Sequence, residues 1–241
     1  MQHGLGDPQD HRPGDRSEDA APQQSLAVTL VADLVCPWCR IALATLAPLA
    51  DRLGVAIRWA PFLLNPGLPP QGVPRRLYLE RKFGSLEAAR LVERRILRRG
   101  RELGLDFAFD RIARQPDTTA AHALLHEAER RGLLVPTAVR LFAAFFEEGQ
   151  DLGDRAVLAR LAAAFDLDAA GLAEALSADR LVRVRAEHRR AVARGIDGVP
   201  ALLLPRVGVL AGAQPAEVVE TFLEIGLLDA RSAEAQGRQG S

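Results

Sequence analysis

A Cys-x-x-Cys pair between a strand pattern and a helix pattern constrains this chain more than any other feature. The largely apolar, β-branched run 28–35 leads directly into Cys36, and the amphipathic Ala/Leu pattern after Cys39 is typical of a helix. This order places both sulfurs at a helix N-terminus, where unpaired N–H groups stabilise a thiolate. We therefore predict a dithiol redox centre, with Cys36 as the attacking nucleophile and Cys39 as the resolving cysteine.

Two other interpretations of the pair stay open at this point. A tetrahedral zinc site needs four ligands, and the chain has no third cysteine; His122, His126 and His188 could complete the site only from distant helices. The alternative is a pair of buried structural cysteines, although Pro37 and Trp38 between them suit a helix start better than a core position. We predict no metal site.

Composition and charge exclude several classes of partner. The 241 residues carry 31 basic and 31 acidic side chains, so the zero formal net charge gives no indication of nucleic-acid binding. Residues 1–25 are polar, with no apolar segment typical of a signal peptide, which predicts a disordered tail and a cytoplasmic location. No run of about 18 apolar residues exists, so no membrane span is expected.

The order of the remaining patterns defines the architecture. A strand–helix–strand pattern occupies about 27–64, and a proline-rich loop covers 65–74. Only helical patterns follow for more than a hundred residues, until two short apolar runs at 201–204 and 207–210 predict a hairpin. A last helix is predicted from 214 to about 225. The fold class is α/β, with a long all-helical insertion between a βαβ half and a ββα half.

Five short motifs follow one another along the chain. They are Asp-Leu-Val-Cys-Pro-Trp-Cys at 33–39, Pro-Phe-Leu-Leu-Asn-Pro at 61–66, Thr-Thr-Ala-Ala-His at 118–122, Phe-Glu-Glu-Gly-Gln-Asp-Leu-Gly-Asp at 146–154 and Gly-Ile-Asp-Gly-Val-Pro at 195–200. In this order they resemble the DsbA-like thioredoxin-fold family. Within it they are similar to the cytoplasmic FrnE-type branch, also called the 2-hydroxychromene-2-carboxylate isomerase/DsbA-like thioredoxin group.

The resemblance implies a domain division of the chain. A disordered N-terminal tail covers 1–25, and the first half of a thioredoxin fold covers 26–72. The helical insertion covers 73–195, the second half of the thioredoxin fold 196–228, and a frayed C-terminal tail 229–241. We expect the insertion to act as a lid over the redox site rather than as an independent domain.

The same resemblance implies substrate-binding residues around the redox pair. In thioredoxin-fold oxidoreductases the proline matching Pro200 forms a cis bond and faces the cysteines, so Val199 is expected to pair its backbone with a bound peptide or glutathione. Pro37 and Trp38 would border the same cleft. In kappa-class glutathione transferase relatives the start of the last helix holds a glutathione carboxylate. Gln214 occupies that place here and is therefore expected to bind substrate.

Two polar residues complete the predicted site. Asp33, three residues before Cys36, is a candidate to move the proton of Cys39. His122 follows a Thr-Thr cap and is predicted to line the cleft. The expected substrates are protein or small-molecule thiols and disulfides, with glutathione as a candidate co-substrate, no cofactor beyond the redox-active Cys36–Cys39 disulfide, and a monomer or homodimer.

Two alternative functions stay open from the sequence. The first is a glutathione-dependent isomerase or transferase of the kappa-like class, although those relatives carry serine where Cys36 stands. The second is a non-catalytic, chaperone-like module that binds peptides along Val199–Pro200.

Overall fold

The computed structural model describes residues 26–239, so the predicted tail at 1–25 lies outside the described residues. The strands are β1 (Ala27–Ala32), β2 (Ala56–Pro61), β3 (Val73–Pro74), β4 (Arg114–Gln115), β5 (Ala201–Leu204) and β6 (Gly208–Ala211). The helices are α1 (Pro37–Leu53), α2 (Arg75–Phe83), α3 (Leu86–Glu102), α4 (Thr119–Arg130), α5 (Leu134–Phe146), α6 (Arg155–Ala163), α7 (Ala169–Ala175), α8 (Ala178–Ala193) and α9 (Ala216–Gln239).

The main sheet has the strand order β2-β1-β5-β6 and confirms both predicted halves. β1 and β2 are parallel and joined by α1, whereas β5 pairs antiparallel with both β1 and β6. Leu30 lies at the centre, opposite Trp59 on one side and Leu202 on the other. β1 is thus buried between two partners, and its carboxyl end leads into the Cys-x-x-Cys turn.

Local sequence signals explain where α1 begins and ends. Pro37 occupies the first helical turn, where its missing N–H costs no hydrogen bond, and Cys36 is the N-cap in extended conformation. Gly54 ends the helix with a left-handed φ of 65°, and its N–H returns to carbonyls of the last turn. The redox pair therefore occupies the first turn of a helix fixed at both ends.

The insertion between β2 and β5 contains one short ladder that contradicts the all-helical prediction and one helix that no sequence pattern indicated. β3 and β4 form a two-residue antiparallel ladder at the base of the insertion. α2 was not predicted, because none of its residues is buried and its sequence therefore carries no apolar periodicity. The next helix, α3, is amphipathic, and the Ser85 side chain caps it by accepting from the Ala88 N–H at 3.1 Å.

The C-terminal prediction was wrong: residues 229–239 continue α9 instead of forming a frayed tail. Alanine, arginine and glutamine dominate this segment, and all three favour helix without any need for burial. Asp229 also anchors the extension, since it accepts from Arg206 Nε at 2.9 Å.

One hydrophobic core joins the thioredoxin unit to the insertion. Leu30 and Leu46 from the former belong to the same buried cluster as Phe142 and Phe145 from α5. Both α3 and α5 pack on α1. The insertion therefore shares the core of the redox helix. Among residues 26–239, no helix combines the length and apolar character needed to cross a membrane.

Candidate active site

The two sulfurs occupy different positions at the start of α1. Cys36 is 5% exposed and Cys39 is fully buried, and both are free thiols. The Cys39 N–H donates to the Cys36 carbonyl at 3.0 Å, which closes the first helical turn. Only Cys36 therefore reaches the protein surface.

The surroundings of the two thiols shift their pKa values in opposite directions. A hydrogen bond from the Cys39 thiol, aided by backbone N–H groups of Cys39 and Trp38, lowers the pKa of Cys36 despite its burial. Burial, followed by its interaction with Cys36, raises the pKa of Cys39 well above the ordinary thiol value. The arrangement favours a Cys36 thiolate that accepts a hydrogen bond from a Cys39 thiol.

The segment before β5 contacts the attacking sulfur. The Val199–Pro200 peptide bond is cis, and the Val199 carbonyl lies 3.7 Å from Cys36 Sγ. The Pro200 carbonyl accepts from the Gly212 N–H at 2.8 Å, which ties this segment to β6. Among the described residues no hydrogen-bond partner is present for the Val199 N–H. A backbone donor and a backbone acceptor thus lie beside Cys36.

A cavity of about 200 Å³ opens beside Cys36, between α1 and the first two helices of the insertion. It places Pro37 and Trp38 in the predicted cleft. The insertion contributes the other wall, with Arg75, Tyr78, Leu79, Lys82, Phe83, Val92, Glu93, Ile96, Phe109, Gln115 and Phe146. Sequence reasoning missed this wall because it did not predict α2.

Charge in the cavity wall is unevenly compensated. Arg75 pairs with Glu93 at 2.9 Å, so these two lining charges cancel. Lys82, the only lysine of the chain, donates to the Tyr78 hydroxyl at 2.8 Å and has no carboxylate partner among residues 26–239. The wall therefore carries one uncompensated positive charge.

Asp33 lies beneath the redox turn as a buried acceptor. Its Oδ2 accepts from the Leu64 N–H at 2.8 Å, and its Oδ1 accepts from the Thr118 hydroxyl at 2.9 Å. The negative charge of Asp33 raises the pKa of both Cys36 and Cys39. The structure thus brings this carboxylate close to both sulfurs.

Four predicted substrate-binding residues lie outside the cavity wall: Val199 and Pro200, which lie beside Cys36, and His122 and Gln214, which lie elsewhere. His122 is fully buried and is hydrogen-bonded to Trp59, because the short side chains around it on α4 pack into the core instead of facing the cleft. The prediction that His122 lines the cleft was wrong. Gln214 donates from its side chain to the Ala211 carbonyl at 2.7 Å and closes the turn before α9.

The zinc interpretation finds no support in the described part of the chain. Within residues 26–239, no group of three or more histidine, cysteine and acidic side chains has the geometry to hold a metal ion. Trp59 and Leu63 instead engage His122 and His188 as hydrogen-bond acceptors.

Residues 27–224 match the DSBA-like thioredoxin domain. The chain belongs to this family. Because the match covers both halves of the sheet and the whole insertion, it includes every site residue described above.

Solved structures show the same architecture. A probable DsbA oxidoreductase from Streptomyces coelicolor is 29% identical, with a TM-score of 0.75 over 84% of this chain and 90% of that one. The cytosolic disulfide reductase DsbM from Pseudomonas aeruginosa is 27% identical, with a TM-score of 0.62 over 84% and 98%, and a second structure of it contains GSH. A 2-hydroxychromene-2-carboxylate isomerase shares the fold at 16% identity, with a TM-score of 0.66 over 87% and 99%.

Proposed function

We propose that this protein is a thiol–disulfide oxidoreductase. The Cys36 thiolate attacks a substrate disulfide, forms a mixed disulfide and releases the first substrate sulfur as a thiolate. Cys39 then attacks the Cys36 sulfur, forms the Cys36–Cys39 disulfide and releases the second substrate sulfur with its electron pair. Two electrons pass from the cysteine pair to the substrate, and the reverse sequence oxidises a dithiol.

The opposite ionisation of the two thiols carries this proposal. A low thiol pKa and access to the surface make Cys36 the nucleophile, because the thiolate is the attacking species. A high pKa and complete burial keep Cys39 protonated until a mixed disulfide forms. Two structural cysteines would need neither the helix N-terminus nor the mutual hydrogen bond.

Asp33 is the proposed acceptor of the Cys39 proton. In the resolving step Cys39 must lose its proton inside the protein, and Asp33 is the buried carboxylate whose charge acts on that thiol. A proton from Cys39 would also cancel the charge that raises the pKa of the cysteine pair.

The cavity supports thiols and disulfides as substrates, with glutathione as the proposed small-molecule partner. The Val199 backbone offers pairing groups to an extended peptide, and Lys82 offers a positive charge to a carboxylate. The similarity to a cytosolic reductase whose structure holds GSH supports glutathione and a cytoplasmic location.

A redox titration against glutathione, with insulin reduction as a companion assay, tests the proposal. We expect one two-electron transition for the Cys36–Cys39 pair and turnover of insulin disulfides. Absence of a Cys36–Cys39 disulfide at every glutathione ratio would refute it.

Variants of the cysteines separate the alternative functions. Isomerase or transferase activity on a small aromatic substrate would persist in Cys39→Ser, and client protection by a peptide-binding module would survive loss of both sulfurs. Redox turnover requires both cysteines.

A further inference from the structure

A buried polar chain joins Trp59, His122 and Asp33 outside the cavity wall. The Trp59 indole N–H donates to His122 Nδ1 at 3.0 Å. His122 Nε2 lies 3.4 Å from Asp33 Oδ1, and it is the one ring nitrogen of this fully buried histidine without a hydrogen bond in the described structure. A buried polar atom left in this way is rare in folded proteins, and this one faces the carboxylate beneath the cysteine pair.

The contact with Trp59 determines which nitrogen of His122 carries the proton. An indole N–H only donates, so His122 Nδ1 must accept and carries no proton. A neutral imidazole then has its N–H at Nε2, on the side of Asp33. Trp59 thus fixes the tautomer that presents a donor to Asp33.

We propose that His122 is a positioning residue for the resolving step, locked by Trp59 as the Nε2–H tautomer so that its N–H holds the Asp33 carboxyl group in place beneath the Cys39 thiol. This inference rests on the proposed function. His122 would supply a third donor to Asp33, beside the Leu64 N–H and the Thr118 hydroxyl. Several donors on one carboxyl group restrict its orientation, so that it is already placed to meet the Cys39 proton.

The resolving step then has a defined proton acceptor. A bond forms between the Cys39 and Cys36 sulfurs, the bond from Cys36 to the substrate sulfur breaks, and the substrate leaves as a thiolate. The Cys39 proton passes to Asp33, which stays in contact with His122 Nε2. The cysteine pair is oxidised and the substrate sulfur is reduced.

The other titratable groups around His122 do not compete for Asp33. His126 lies one turn further along α4, and His188 comes from α8. Burial lowers the pKa of both His126 and His188, so both are neutral near pH 7. The His188 Nδ1 is also occupied, since it accepts from the Leu63 N–H at 3.2 Å.

Nitrogen-15 NMR of the histidine rings tests the tautomer without any assay of activity. In the reduced wild-type protein at pH 7, His122 should show a protonated Nε2 and an unprotonated Nδ1. Trp59→Phe, which retains an aromatic ring without the donor, should lose this preference. A protonated Nδ1 in the wild type would overturn the proposal.

Single-turnover kinetics test the functional consequence. Cys36 attack and resolution of the mixed disulfide are followed separately by acid quench and mass spectrometry, with a neutral disulfide as substrate. His122→Phe should slow resolution about tenfold, the scale expected for losing a hydrogen bond to a charged group, and move its pH profile. His122→Gln, which restores an N–H donor, should recover most of the rate.

His126→Asn is the matched control, because it alters a histidine of the same helix that does not contact Asp33. It should leave both steps unchanged. If His122→Phe does not fold, Trp59→Phe becomes the deciding variant. It should slow resolution of the mixed disulfide without slowing the attack by Cys36. Normal resolution in the deciding variant, or equal slowing of both steps, would refute the positioning role. Failure of the wild type to form any mixed disulfide would instead refute the proposed function.

Discussion

The two sides of the turn that holds Cys36 and Cys39 differ in burial: one side borders a cavity, and the other lies in the closed core. On one side Cys36 faces a cavity whose far wall is α2, a helix with no buried residue. On the other side, the closed side, Cys39 belongs to the buried core that contains Phe142 and lies near Asp33, whose Oδ1 is 3.4 Å from His122 Nε2. In the proposed mechanism, one helix turn thus separates a sulfur that exchanges with substrate from a sulfur that loses its proton inside the protein.

This difference shows how a single Cys-x-x-Cys motif acquires two roles. The hydrogen bond from the Cys39 thiol, aided by backbone N–H groups at the helix N-terminus, accounts for the lowered pKa of Cys36. Only tertiary packing accounts for the raised pKa of Cys39, because burial is its main cause. The predictions below alter one side at a time.

Replacing either sulfur should have the largest effect. Cys36→Ser removes the nucleophile on the cavity side and should abolish disulfide exchange. Cys39→Ser leaves attack intact and should accumulate a mixed disulfide with substrate or glutathione, detectable by mass spectrometry of the intact protein. An adduct on Cys36→Ser but not on Cys39→Ser would reverse the roles.

Stability should depend on the closed side and not on the cavity wall. Phe142 is fully buried and its ring centroid lies 6.3 Å from that of Trp59, so Phe142→Ala should cost about 3–5 kcal/mol of unfolding free energy. Tyr78→Ala, in the partly exposed cavity wall, should cost about 1 kcal/mol or less. Urea denaturation of the reduced proteins measures both, and equal losses would contradict the comparison.

The same contrast explains what was predictable from the sequence. β1, α1 and β5 follow from their apolar residues, since many of those residues are buried. α2 was missed because its contacts are those of a surface helix, and with it the cavity residues Tyr78 and Lys82. The periodicity of apolar residues reports burial, and α2 has no buried residue.

The buried network was predicted only in part. Asp33 was selected from its distance to Cys36 along the chain, which is a local signal. The position of His122 depends on the packing of α4 against β2, which brings Trp59 to its ring, and no sequence spacing encodes that contact. A histidine in the short motif 118–122 was therefore assigned to the cleft when it belongs beneath it.

Removing the Asp33 charge should slow resolution of the mixed disulfide and favour ionisation of Cys36. Asp33→Asn lacks a proton acceptor, so resolution of the mixed disulfide should slow at least about tenfold. The pKa of Cys36 should fall further, because the Asp33 charge raises it. Acid-quenched mass spectrometry measures the first effect and alkylation against pH the second. Wild-type resolution across the whole pH range would exclude Asp33 as the acceptor.

The smallest expected effect is a shift in the pH at which Cys36 reacts. Because its pKa is lowered, alkylation of Cys36 in the reduced protein by iodoacetamide should reach half its maximal rate at a lower pH than in the urea-unfolded protein, with peptide mapping showing the label on Cys36. The urea-unfolded protein provides the unshifted reference.

The hydrogen bond from Cys39 is the largest cause of the lowered pKa, so Cys39→Ala should raise the alkylation midpoint towards that reference. Cys39→Ser keeps a hydroxyl donor at the same place and should fall between the wild type and Cys39→Ala. If all three midpoints coincide, the helix N-terminus alone stabilises the Cys36 thiolate, and the closed side does not contribute to the reactivity of the cavity side.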